Sequence, residues 1–129
     1  MYQQQGGVGS APQGASAAVN AGERFVEQYY SGFAKSSGKY YQATSKVMWN
    51  GNAFTGEQFK ATILPELQRQ LSHFEVMGFD CHALAPNGPT LITVSGLVKM
   101  EGRERFSQTF VIERSGSLTY IQSDCFRIV

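Results

Sequence analysis

Apolar and polar positions along the chain change period three times, and each change marks a new element. From Gly22 to Ala34 the large side chains Phe25, Val26, Tyr29, Tyr30 and Phe33 recur at helical spacing and form one broad stripe. This spacing predicts a helix whose aromatic face enters the core. Ser36, Ser37 and Gly38 interrupt the pattern, and Lys39–Ala43 predicts a short second helix on which Tyr40 and Tyr41 pack. Lys46–Ala53 alternates as a strand and runs into Asn50-Gly51, a pair that tolerates positive φ and so predicts a tight turn. Thr55 with Gln58 three residues on has the spacing of a capping box. The helix it opens carries Phe59, Ile63 and Leu64 until Pro65, where a break or kink is expected. Leu67 and Leu71 would lie on a further short helical piece.

Beyond that point the period is two. His73–Leu84, Thr90–Met100, Glu104–Arg114 and Leu118–Val129 are four strand-like runs joined by short Gly-bearing connections, which predicts an antiparallel meander. The order of elements gives an α+β fold with helices packed on one face of a curved, mainly antiparallel sheet. The second run, LITVSGLVKM, is apolar on both faces and calls for cover on both sides. The helices suffice for one side, so the other face is expected to meet a second protein.

The last run, LTYIQSDCFRIV, carries both faces of this problem. Strict alternation puts Leu118, Tyr120, Phe126 and Ile128 on the core face, and Ile121, Ser123, Cys125 and Arg127 on the other. Together with Ser107, Thr109 and Val111 of the preceding run, those four form a face too apolar for water and too polar for a core. Such a mixture, with Arg present and other charges depleted, is that of a permanent protein interface. One of ordinary size buries more than about 1,200 Å².

Composition narrows the function classes. Residues 1–21 are Gln, Gly, Ser and Ala-rich, cannot bury enough apolar area to offset ordering entropy, and are expected to be a disordered tail before a single domain at 22–129. Only 16% of residues are charged and the formal net charge is +1, so no field draws the chain onto nucleic acid or an anionic membrane. No apolar run is long enough to span a bilayer. The two cysteines, Cys81 and Cys125, are expected as buried reduced thiols. The two histidines, His73 and His82, lack metal-ligand spacing, and no phosphate-binding glycine loop or nucleophile elbow is present. No catalytic residue, metal or cofactor is expected. One catalytic alternative stands beside this. Asp80 or Asp124, in strands that bury their neighbours, could act as a base, with Tyr29, Tyr30 or Tyr41 as donor, in a small-molecule isomerase or dehydratase that uses the space between helices and sheet. An open pocket with a carboxylate on its floor would favour that alternative. A cone filled by Trp49, Phe59, Phe106, Phe110 and Phe126 would sink it.

Three segments carry a resemblance: VMWNGNAFTG at Val47–Gly56, VKMEGRERFSQTFVI at Val98–Ile112 and SDCFRIV at Ser123–Val129. Over residues 22–129 the chain resembles the nuclear transport factor 2-like superfamily, a cone of helices on a curved sheet. Within it the chain is most similar to the small subunit of the heterodimeric mRNA export receptor. The resemblance implies a non-catalytic subunit that pairs, sheet face to sheet face, with the large mRNA export receptor subunit. It implies a heterodimer that binds nucleoporin Phe-Gly repeats and shuttles between nucleus, nuclear pore and cytoplasm. It further implies that Arg127 faces an acid of the partner. The wider superfamily would also permit a homodimeric transport factor that binds Ran-GDP.

Overall fold

The structure, a computed structural model, describes residues 13–129, with side chains from residue 17. Its elements run α1 (Gln13–Ser31), α2 (Phe33–Ser36), a 3-10 turn (Ser37–Tyr40), β1 (Tyr41–Trp49), β2 (Asn52–Thr55), α3 (Gly56–Gln58), a π-helical segment (Phe59–Ile63), α4 (Leu64–Gln70), β3 (Ser72–Ala83), β4 (Thr90–Lys99), β5 (Arg103–Ser115) and β6 (Leu118–Ile128). One six-stranded sheet has the order β2-β1-β6-β5-β4-β3. All neighbours are antiparallel except β1 and β6, which run parallel. The expected meander is therefore present, and the expected α+β class holds. The parallel contact brings the first strand onto the last.

The first helix begins earlier than its aromatic stripe. Residues 1–12 of the expected tail lie outside the described residues, but Gln13–Ala21 belong to α1. The run is rich in Ala, the best helix former, and Ala21 is buried. Gly22 does not start the helix. It lets α1 press onto the sheet, since a Cβ there would come within 2.3 Å of the Cys81 sulfur. Along the stripe, Phe25 meets Phe110 edge-on at 4.9 Å and Phe33 meets Phe74 at 5.0 Å. Phe33 belongs to α2, beyond the end of α1 at Ser31, so these contacts fix α1 against β5 and α2 against β3. The expected helix at Lys39–Ala43 is instead the 3-10 turn followed by β1, so Tyr41 becomes a core residue of a strand.

The Asn50-Gly51 turn and the capping box form as the residues dictate. Asn50 and Gly51 have φ of 49° and 87°. Thr55 accepts from the Gln58 N–H, and the Gln58 side chain accepts from the Thr55 N–H. The disturbance expected at Pro65 appears one turn earlier, as the π segment in which the Leu64 N–H reaches the Phe59 carbonyl. Proline lacks an N–H and crowds the preceding turn, and a wider turn relieves both. Pro65 then sits at the start of α4, where its missing donor costs little.

Within β6 strict alternation fails. Val111 pairs with Ser123, but Ile112 pairs with Ile121, so Gln122 is an extra residue. The bulge turns Ile121 inward, where it is fully buried, and leaves Leu118 exposed. Ile121 is thus removed from the expected interface, and Leu118 and Tyr120 from the expected core face. The parallel neighbour absorbs the same irregularity. Ser45, itself buried, donates to the Ile121 carbonyl and accepts from the Gln42 N–H at 2.8 Å. Gly56 closes over this break; a Cβ there would fall 1.8 Å from the Gln42 carbonyl oxygen.

Two substitutions should rank these contributions. Phe126 is 1% exposed, so Phe126→Ala should cost about 3–5 kcal/mol by urea unfolding, whereas losing the cap in Thr55→Ala should cost about 1 kcal/mol. The reverse ranking would contradict the packing described.

Candidate functional site

The space between helices and sheet holds a buried polar chain. The Asp124 carboxyl, 1% exposed, accepts from the Tyr41 hydroxyl at 2.5 Å on one oxygen and from Gln108 Nε2 at 2.8 Å on the other. Tyr29 and Tyr41 hydroxyls lie 2.6 Å apart, and Tyr30 donates to Gln108 Oε1 at 2.7 Å. Among the described residues no buried side-chain nitrogen or oxygen lacks a partner. Burial pushes the Asp124 carboxyl up to about 7, against the pull of its hydrogen bonds from Tyr41 and Gln108. It also raises all three tyrosines well above their ordinary range.

This arrangement has the residues of the catalytic alternative but not its access. Trp49, Phe59, Phe106, Phe110 and Phe126 are all buried around it, with Trp49 stacked on Phe126 at 4.1 Å. Both carboxyl oxygens are taken by protein donors. Asp80, the other candidate base, is on the opposite face of the sheet, level with Thr93 of β4.

That opposite face is open, and its rows follow from the register. One row is Met48, Cys125, Thr109, Thr93 and Asp80; the next is Lys46, Ser123, Val111, Leu91 and His82. A third places Arg127, Ser107, Ser95 and Gly78 in line. Of the residues expected at an interface, Ser107, Cys125 and Arg127 are exposed, and Thr109, Val111 and Ser123 are half-buried. Ile121 faces the core for the reason given above. Cys125 is a free exposed thiol, not a buried one, while Cys81 is free, half-buried against α1 and pushed up to about 12 by desolvation. Sequence alternation missed Met48 and Lys46, which are brought beside β6 only by the parallel pairing.

Arg127 is set by the turn it crosses. The Asn50 N–H donates to the Phe126 carbonyl and Asn50 Oδ1 accepts from the Ile128 N–H, each at 2.8 Å. These bonds bracket Arg127, whose Nη2 would lie 3.6 Å from a Cβ at Gly51. The WNGN and SDCFR segments are therefore one structural unit. Among the described residues Arg127 forms no ion pair.

The buried carboxyl gives a pH dependence of defined sign. An acid whose folded pKa lies above its unfolded value takes up a proton on folding, so its stabilising effect is complete below 3.8 and is lost as pH rises through about 7. Relative to Asp124→Asn, wild-type urea midpoints should fall across that window and level off above it. Parallel profiles for the two proteins would contradict the shift.

Comparison with known proteins agrees with this geometry. The model of the nuclear transport factor 2 (NTF2) domain matches residues 21–128. The chain is 32% identical over 124 residues to NTF2-related export protein 1 of Bos taurus, covering 85% of this chain and 87% of that protein. It is 32% identical over 110 residues to nuclear transport factor 2 of Oryza sativa subsp. japonica, covering 81% and 90%. Among solved structures, the Mtr2-Mex67 M domain complex of C. albicans aligns with a TM-score of 0.66 at 12% identity, covering 88% of this chain and 96% of that one, a likeness of fold. The chain belongs to the nuclear transport factor 2 domain family.

Proposed function

We propose that this chain is a non-catalytic nuclear transport subunit that pairs through the outer sheet face with the large mRNA export receptor subunit. The observation that carries this is the face itself: small and apolar side chains at the centre of its rows, few charges there, and an outward Arg127 that is held in place and, among the described residues, has no acid. Permanent interfaces combine Arg enrichment with depletion of other charges in this way. Support also comes from the export protein among the relatives, and from a likeness of fold to the Mtr2-Mex67 M domain complex. In this account the heterodimer binds nucleoporin Phe-Gly repeats and shuttles between nucleus, nuclear pore and cytoplasm. The filled cone leaves the interior a stabilising role.

A second pairing, with another copy of this chain, is favoured by one observation, the equal identity to nuclear transport factor 2. The same face would then close on itself as a homodimer.

Arg127→Glu decides whether the face is used. Breaking a desolvated charge pair typically costs about 2–5 kcal/mol, so affinity for the large subunit's M domain should fall about thirtyfold or more in titration calorimetry. The side chain is exposed, so the variant's thermal unfolding should match wild type. Unchanged affinity would remove Arg127, and with it the proposed orientation of the two sheets.

A further inference from the structure

The outer face is not uniform. At its β2 end lies a groove of about 550 Å³ lined by Met48, Ala53, Phe54, Thr55, Ser123 and Cys125, with Lys46 among them. Its floor is set by register: Ala53 pairs with Met48, and Met48 pairs with Cys125. The left-handed Asn50-Gly51 turn brings β2 alongside as the wall. Met48, 39% exposed, stands between two small neighbours and is the large apolar group offered here. Its flexible thioether adapts to whatever side chain packs on it.

One cation lines this groove and another lies just beyond its Cys125 end. Lys46 is level with Ser123, and Arg127 lies four residues further along β6, a separation of roughly 13 Å at strand rise. Among the described residues neither cation is in an ion pair. The Asp124 carboxyl between them points into the core and is bonded there, so it neutralises neither. An apolar slot with one unmatched cation in its lining and another just beyond its Cys125 end is complementary to an extended segment in which apolar side chains lie between two acids.

We propose that this slot receives such an acid–apolar–acid segment of the partner's sheet. The two acids would meet Lys46 and Arg127, and an apolar side chain would pack on Met48 and Cys125. This rests on the sheet-face pairing above and adds to it the site and chemistry of the anchor. It also assigns Lys46 and Met48, which lie outside the β5–β6 set, to recognition. A second copy of this chain in the slot, or an empty slot at the rim of an interface centred elsewhere, are the other outcomes to separate.

The exposed Cys125 provides a direct probe, because the Cys81 thiol is half-buried and held protonated up to about 12. Maleimide labelling of Cys125, followed by peptide mass analysis, should slow about tenfold or more when the chain is complexed with the large subunit's M domain from the same organism. Ala53→Trp, which fills the slot from the exposed β2 edge, and Lys46→Glu should each weaken pairing about tenfold or more, while Lys46→Arg should retain it. The slot is overturned, and the sheet-face pairing kept, if Arg127→Glu abolishes pairing but Cys125 in the complex reacts at its free rate and both Ala53→Trp and Lys46→Glu pair as wild type. If Arg127→Glu also pairs as wild type, the acid at Arg127 and the proposed orientation of the sheets fail, and if the wild-type chain binds only itself, the pairing with a large subunit fails; either result removes the slot's proposed occupant.

Discussion

A carboxyl group sits at the bottom of the cone, buried from water and, among the described residues, in no ion pair. Removing a lone carboxylate from water is costly unless every acceptor position is used. Here one donor on each oxygen offsets part of that cost, and burial still pushes the carboxyl up to about 7. Tyr41 comes from β1, Gln108 from β5, and Tyr29 and Tyr30 from α1, so one acid ties three parts of the fold together. The rings that carry those hydroxyls, and the phenylalanines between them, then fill the space where related cones could hold a ligand. Groups committed to satisfying Asp124 are taken up inside the cone, and the outer sheet face is the broad surface left open.

The same strand that buries Asp124 presents Cys125 and Arg127 on its other side. Alternation makes this unavoidable once the register is fixed, and the register is fixed at two points. The Gln122 bulge reverses the facing of the strand's first half, and Asn50 clamps its last residues. Trp49 stacking on Phe126 holds the clamp from the core side. The segment that packs the core and the segment that orients Arg127 are therefore adjacent residues of one strand, so a core change at Phe126 should also loosen the outward face.

Much of this was legible from residues alone, for local physical reasons. The aromatic stripe of α1, the Thr55–Gln58 box, the Asn50-Gly51 turn and the period-two runs each depend on neighbours in sequence. What was hidden depends on distant ones. Ile121 looks outward by counting, and only pairing with Ile112 shows the extra residue. Gly22 looks like a helix boundary until the Cys81 sulfur is found against it. Ser45 gives no sign that it will bond the Ile121 carbonyl across a parallel contact. Met48 and Lys46 joined the candidate face for the same reason: no spacing rule places β1 beside β6. Cys125 was expected inside because cysteines usually are, yet its strand position turned it out.

The central claim is that the outer sheet face closes on a different chain. Light-scattering mass measurement of this 14.2 kDa protein, alone and in equimolar mixture with the proposed large export receptor subunit, tests it most directly. The account predicts that the mixture converts to a single one-to-one heterodimer, displacing any self-association seen alone. A homodimer of twice the chain mass that persists unchanged in the mixture would contradict it.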